Sequence, residues 1–268
     1  MPDLQLFLLG RPEIRLKNHV VTNSLSKKAQ ALIFYLAITK QTHSRQHLAG
    51  LFWPDYPEER ARNNLRVELS RLDRGVRDYL EVKRHSLALK QTGEVWVDAA
   101  EFERLTGRGR QVEEWETAVG YYKGELLDDF HLLDASGFEH WVTLMRENLR
   151  RRMVAVLERL AIHETEQRNY TKGIAYLRRL IEIESYMEWA HRQLMTLLAL
   201  DGQRAAALAQ YELCKAILWD ELAVEPAEAT IQIYEQIQTG EIVQDGVEVV
   251  ELAQIAADGS ARPLLLPP

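Results

Sequence analysis

Over the first 97 of its 268 residues the chain alternates between two apolar periods, and beyond residue 98 only the helical one survives. Leu4 to Leu9 is apolar enough for a strand, and Gly10-Arg-Pro12 breaks it. Glu13 to Lys17 alternates, and Val20-Val-Thr22 follows a turn at Asn18-His19, which predicts a small antiparallel sheet. Ser26 can cap a helix whose Ala29, Leu32, Ile33 and Leu36 share a face. Ser44 can cap a second carrying Leu48, Leu51 and Phe52, stopped by Trp53-Pro-Asp-Tyr-Pro57. The run Glu59 to Arg77 reads as one third helix. Leu80 to Lys83 and Leu87 to Lys90 form two short strands around Arg84-His-Ser86, with Val95-Trp-Val97 as a last strand. Strands, three helices and a hairpin make a winged helix-turn-helix.

From Asp98 the pattern is helical almost to residue 240, with helices expected over 99–106, 111–123, 137–167, 171–184, 187–200, 204–219 and 227–238. A weak repeat at a separation of 34 aligns Tyr170, Gly173, Ile174, Leu177 and Leu180 with Arg204, Ala207, Leu208, Tyr211 and Cys214, and Leu160 with Leu194. That is the period of tetratricopeptide helix pairs, in which small residues let neighbouring helices approach. The predicted fold is therefore mainly α with a small β component. A winged-helix domain spans 1–97, an all-α tetratricopeptide-like domain spans 98–240, and 241–268, which loses the period and ends Pro-Leu-Leu-Leu-Pro-Pro, reads as a linker or C-terminal tail, the cut point of a longer protein.

The third helix separates two kinds of residue. At 100° per residue Ala61, Leu65, Leu69, Leu72 and Val76 form a narrow stripe, while Asn63, Arg66, Ser70, Arg74 and Arg77 project opposite, with Val67 among them. The apolar stripe can bury itself; the other face needs a partner or water. Arginine and asparagine carry the donors and acceptors that match guanine and adenine edges in a major groove, and valine can touch a thymine methyl. Asn63, Arg66, Val67, Ser70 and Arg74 are accordingly the expected base contacts. Arg60, Arg62, Arg71 and Arg77, with Lys27 and Lys28 at the start of the first helix, are expected on the DNA backbone. Arg84 and His85 stand at the wing tip, where a cation reaches a minor groove or a phosphate. The competing reading of the same helix is a solvated basic face.

Charge supports the division. The whole chain carries −7, but residues 1–97 hold 16 Lys and Arg against 10 Asp and Glu, whereas residues 98–268 hold 17 against 30. A duplex attracts the first part and repels the second.

Other chemistry is sparse. The single cysteine, Cys214, excludes an intrachain disulfide and sits in an amphipathic helix as a buried thiol. His163-Glu-Thr-Glu-Gln167 lacks the second histidine of a zinc-protease motif, and His43 with His47 has no recognisable third ligand, so no metal or other cofactor is expected. The carboxylate pairs Glu113-Glu114 and Asp128-Asp129 read as solvated charge, Gly107-Arg-Gly109 lacks the context of a phosphate cradle, and no nucleophile, base and orienting acid can be grouped. Catalysis is not expected. Trp115, Trp141, Trp189 and Trp219 can line a groove, but at helical spacing tryptophans more often fill a core. No apolar run approaches a membrane span, and Met1-Pro-Asp-Leu-Gln lacks the charged start of a signal peptide, which points to the cytoplasm and no membrane.

Six segments together carry a family resemblance: Leu8-Leu-Gly-Arg-Pro-Glu13, Leu51-Phe-Trp-Pro-Asp55, Ala61 to Leu72, Val95-Trp-Val-Asp98 with Phe102, Tyr122-Lys-Gly-Glu-Leu-Leu127 and Glu221-Leu-Ala-Val-Glu-Pro226. In order and spacing they resemble the SARP type of bacterial transcription activators, over about residues 4 to 240. The resemblance implies an OmpR-like winged helix joined to a bacterial transcriptional activation domain. It also implies binding to direct repeats in double-stranded promoter DNA as side-by-side protomers, and recruitment of RNA polymerase through its sigma factor. By the same resemblance the loop holding Asp55, Tyr56 and Glu58 faces the polymerase; read from the residues alone, its acids favour the positive end of the next helix. Two places depart from the family: Leu222-Ala-Val224 has alanine where glycine is common, and Asp128 to Gly137 is less family-like. Longer members continue into an NTPase module, for which this chain has no phosphate-binding loop. The alternative function is a protein-interaction scaffold built on the helical stack.

Overall fold

The computed structural model describes residues 2–90, 92, 94–108 and 111–244. Gly109 and most of the expected tail, 245–268, lie outside the described residues. The chain divides into two compact units, Met1–Met153 and Val154 onward.

In the first unit β1 (Leu4–Phe7), β2 (Glu13–Leu16) and β3 (His19–Val20) form an antiparallel meander, with Leu4 opposite Leu16 and Leu6 opposite Ile14. Leu4, Leu6 and Ile14 face inward and are fully buried, as the alternation predicts. Next come α1 (Lys27–Thr39), β4 (His43–Ser44) and α2 (Arg45–Phe52). Ser26 and Ser44 cap the two helices, their hydroxyls accepting from the backbone N–H of Ala29 at 3.1 Å and of His47 at 3.0 Å. Every residue of α1 from Ala29 to Ile38 is buried, which makes it the central helix of the unit.

The expected third helix is two helices, α3 (Glu58–Arg71) and α4 (Arg74–Arg77). Leu72 and Asp73 turn to extended backbone, with ψ of 133° and 141°, and the Asp73 carboxylate accepts from Gly75 N–H at 2.7 Å. An aspartate that satisfies a backbone donor two residues on offers the chain a local alternative to continuing the helix. Gly75 makes room for a neighbour within α4, since a Cβ there would lie 2.5 Å from Leu16 Cδ2 and that side chain would have to shift.

The hairpin of β5 (Leu80–Val82) and β6 (Ser86–Leu89) is as expected, but its third strand is not. β4, unread in the sequence because two residues show no period, pairs with β6 through His43–Leu87 and Ser44–Ser86. β7 (Val95–Val97) instead runs parallel to β1 and completes the order β3-β2-β1-β7. Where β7 ends, its successor Asp98 takes over the ladder: its carboxylate accepts from Leu8 N–H at 2.8 Å, Leu9 N–H at 3.0 Å and Ala99 N–H at 2.7 Å. Asp98 is 3% exposed, and burial raises its pKa to about 6 against the opposing pull of those donors.

Helices α5 (Asp98–Arg108), α6 (Val112–Tyr121) and the long α7 (Ser136–Glu166) follow, the border between the units falling within α7. Two of the family-like segments meet here. Gly10 N–H donates to Glu125 O at 2.9 Å and Leu127 N–H to Leu8 O at 2.8 Å, while Gly10 (φ 118°) and Gly124 approach so closely that a Cβ on Gly124 would stand 3.2 Å from Gly10 Cα. Arg146 of α7 closes this segment by donating to the carbonyls of Leu126 and Leu127 at 2.7 and 2.8 Å. Phe34 and Tyr35 of α1, Phe52 of α2, Phe130, and Phe138 and Trp141 of α7 form one aromatic cluster.

The second unit carries α8 (Tyr170–Ile183), α9 (Glu188–Leu200), α10 (Arg204–Leu222), α11 (Glu228–Thr239) and the short α12 (Glu241–Gln244). The repeat at 34 is packing at most of its positions: Gly173, Ile174, Leu177 and Leu180 are buried, as are Ala207, Tyr211 and Cys214, whereas Leu208 and Tyr170 are half-buried and Arg204 is exposed. Gly173 is small for a reason, because a Cβ there would lie 2.8 Å from Leu197 Cδ1. Burial pushes the Cys214 thiol up to about 12, which leaves it protonated and inert. His191 is fully buried between Ser185 O and Gln210 Nε2, each at 2.7 Å, and burial lowers its pKa. α11 is held at both ends by opposite charges: Glu188 accepts from Ala227 N–H at 2.7 Å, and Arg204 donates to Ile237 O at 3.0 Å. Trp219 departs from the core expectation, being 59% exposed.

The alanine at 223 has a conformational cost. It caps α10 in the left-handed region, φ 55° and ψ 38°, where a Cβ costs about 1–2 kcal/mol and glycine costs little. Ala223→Gly should therefore stabilise the protein by about 0.5–1 kcal/mol after glycine's greater chain entropy is subtracted. The check is the urea midpoint, which must rise at unchanged slope; a midpoint that stays or falls contradicts the assignment.

Candidate nucleic-acid interface

α2 and α3 form the helix-turn-helix, joined by Trp53 to Pro57. Ala61, Leu65, Leu69, Leu72 and Val76 are all buried, so the apolar stripe anchors α3 as the pattern requires. Its other side is open: Arg60, Arg62, Asn63, Arg66, Ser70 and Arg71 are exposed, and Val67 is half-buried between them.

Several of these side chains are already held. Arg66 donates from Nη2 to Asn63 Oδ1 at 2.7 Å, one turn back on the same face. Ser70 donates to Val67 O at 2.7 Å, which leaves its oxygen lone pairs outward. The Arg60 guanidinium stacks 4.7 Å above the Tyr56 ring, and Arg62 lies 3.7 Å from Glu58. Among the described residues no carboxylate lies within ion-pair distance of Arg66, Arg71, Arg74 or Arg77. Glu68, at the flank of the stripe, accepts from Ser26 Oγ at 2.5 Å and ties α3 to the cap of α1.

Two expected contacts move. Arg74 belongs to α4 with Arg77, beyond the break at Asp73, so it does not continue the outward face of α3; both stay exposed. Lys28 is turned inward: its ammonium pairs with Asp134 at 3.0 Å, donates to Phe52 O and lies 5.4 Å from the Trp53 ring, leaving its side chain 13% exposed. A cation so engaged is not presented to a phosphate. Lys27 beside it is exposed.

The hairpin turn exposes Lys83, Arg84 and His85. It is braced by Lys83 N–H donating to Ser86 O and by Arg45 N–H donating to His85 O, both at 2.9 Å, so the wing tip is fixed to the start of α2. In the loop before α3, Trp53 is buried and Asp55 and Tyr56 are exposed, as is Glu58, the first residue of α3. Pro57 stands at the cap position with no side-chain hydrogen bond, so Glu58 and Glu59 act on the helix end only as nearby charge.

The remaining candidates have structural explanations. His43 and His47 stack at 5.5 Å, and their Nε2 atoms are taken by Thr39 Oγ1 at 2.8 Å and Tyr35 Oη at 3.0 Å. Burial and the neighbouring His47 lower the pKa of His43. Among the described residues no group of three potential ligands can hold a metal ion, and no helix is long and apolar enough to cross a membrane. Sequence reasoning gave Asp98 no role beyond its place in a family-like segment, and it missed Arg146. Asp98 was signalled by an acid between a Val-Trp-Val strand and a helix, whereas nothing local marks Arg146.

A model of the bacterial transcriptional activator domain matches residues 97–238, more than half of the chain. The chain belongs to that family. It is thus a transcription regulator of the SARP type, as its six segments lead one to expect, and not an enzyme. The activator-domain match begins at the last residue of β7, so the winged helix-turn-helix precedes it. Among solved structures, Mycobacterium tuberculosis EmbR in complex with a low affinity phosphopeptide is similar over 96% of this chain and 69% of that one. The identity is 22% and the TM-score 0.65, a likeness of fold. No curated protein matches the chain.

Proposed function

We propose that this regulator is a sequence-specific activator that binds direct repeats in promoter DNA as side-by-side protomers and recruits RNA polymerase through its sigma factor, in the cytoplasm. Residues 1–97 form the DNA-reading part and 98–240 the part that mediates oligomeric and regulatory contacts. Arg66 reads a base edge with Val67 and Ser70 beside it, Asn63 adjoins it, and Arg60, Arg62, Arg71, Arg74, Arg77 and Lys27 lie along the phosphates. Arg84 and His85 reach the neighbouring groove, and Asp55, Tyr56 and Glu58 face the polymerase. The observation that carries this reading is the open arginine side of α3, which has few acids to neutralise it, above a stripe of buried leucines.

The test starts by selecting duplexes from a random pool with the intact chain and measuring their affinity across salt. Arg66→Ala should weaken the selected duplex by about 1–3 kcal/mol and relax preference at one base pair, while Arg77→Ala should weaken all duplexes alike and flatten the salt slope by about one. Unchanged affinity in both variants would overturn the assignment.

A further inference from the structure

The geometry assigns Asn63 first to positioning Arg66, ahead of the adenine contact that its residue type and place suggest; this rests on the DNA-binding reading above. Bidentate recognition of adenine needs the asparagine oxygen to accept from N6 while its amide donates to N7. In α3 that oxygen accepts from Arg66 Nη2 at 2.7 Å. The orientation is fixed by chemistry, because a guanidinium can only donate and so must face the oxygen of the amide. Asn63 keeps a second lone pair on that oxygen and its N–H donors, but its amide is oriented by Arg66 and not by a base, so it is less free to turn to adenine.

The consequence for Arg66 is the reverse. One hydrogen of Nη2 is engaged, and the other still makes a paired fork with Nη1 or with Nε that fits guanine O6 and N7. A long, exposed arginine otherwise loses much rotamer freedom on reaching a base, and a hydrogen bond already made in the free protein removes part of that loss. Arg60 and Arg62, on the same helix, are held by Tyr56 and Glu58 from the preceding turn, so preset guanidiniums recur along α3. Asn63, like Tyr56 and unlike Glu58, is neutral, so it orients its arginine without weakening the positive field that DNA meets.

The experiment uses the intact chain, the duplex it selects and a set of single base-pair substitutions through that duplex, read by fluorescence anisotropy. Asn63 is exposed and outside the core, and far-UV circular dichroism verifies that its variants stay folded. Arg66→Ala identifies the base pair that Arg66 reads. Asn63→Ala is expected to reduce discrimination at that same pair about tenfold, and the double variant should discriminate no worse than Arg66→Ala alone. Asn63→Asp, which keeps the acceptor, should preserve discrimination there while weakening all duplexes alike through its charge. If Asn63→Ala leaves that pair intact, or relaxes an A·T pair elsewhere, Asn63 does not position Arg66 and the inference fails. A wild-type chain with no sequence preference removes the DNA-binding reading itself, an outcome distinct from either.

Discussion

Asp98→Ala is expected to destabilise the first unit by about 3–5 kcal/mol, a large part of the stability of an ordinary domain. Its carboxylate joins the end of β1 to the start of α5 where the β7 ladder stops, and its loss strands the N–H groups of Leu8, Leu9 and Ala99 away from water. Each stranded donor costs about 1–3 kcal/mol, less what is regained by no longer burying a carboxylate. Asp98→Asn keeps one acceptor and should cost less. The pH dependence gives a second check. Burial raises the folded-state pKa to about 6, above the ordinary carboxylate value, so the folded protein binds more protons than the unfolded chain between the two. This group's contribution is therefore full below the unfolded value and is lost as pH rises through about 6. The stability gap between wild type and Asp98→Asn should widen as the pH falls from 7 to 4 in urea titrations. A gap that narrows would mean that the donors, not burial, set the proton affinity.

Phe138→Ala should cost a similar 3–5 kcal/mol, by a different route. Phe138 is fully buried, and its ring lies 5.4 Å from Phe52, 5.5 Å from Trp141 and 6.4 Å from Phe130, so one deletion opens a cavity where α2 meets the start of α7. Phe138→Leu, which retains much of the volume, should cost about 1–2 kcal/mol. Because Phe138 is fully buried and makes no part of the exposed face of α3, the folded fraction of the alanine variant should bind DNA with unchanged preference. A loss below 1 kcal/mol for alanine would show that the aromatic cluster does not carry the packing of this unit.

Much of the molecule was readable from period and caps. The serines at 26 and 44 start their helices where the pattern places them, and the buried stripe from Ala61 to Val76 survives even though the helix carrying it breaks. What escaped depended on partners distant in sequence. β4 is two residues long and exists only because Leu87 and Ser86 pair with it, and Val95–Val97 had the composition of a strand without any mark that its neighbour would be β1. The break at Asp73 was a competition between one side-chain hydrogen bond and helix continuation, which apolar spacing does not register. Lys28 looked like Lys27 until Asp134 and Trp53 arrived from elsewhere to cover it. The glycine-to-alanine departure at 223 was visible in sequence, but its left-handed backbone was not.

The central claim is that the open side of α3 enters DNA, and photo-crosslinking tests it most directly. A photoreactive residue at Ser70, exposed on α3, and another at Leu213, exposed on the acidic second unit, are each irradiated with the duplex selected by the intact chain. The expected result is covalent capture of the duplex from position 70, fading as salt rises, and none from position 213. Capture from 213 with none from 70 would contradict the account.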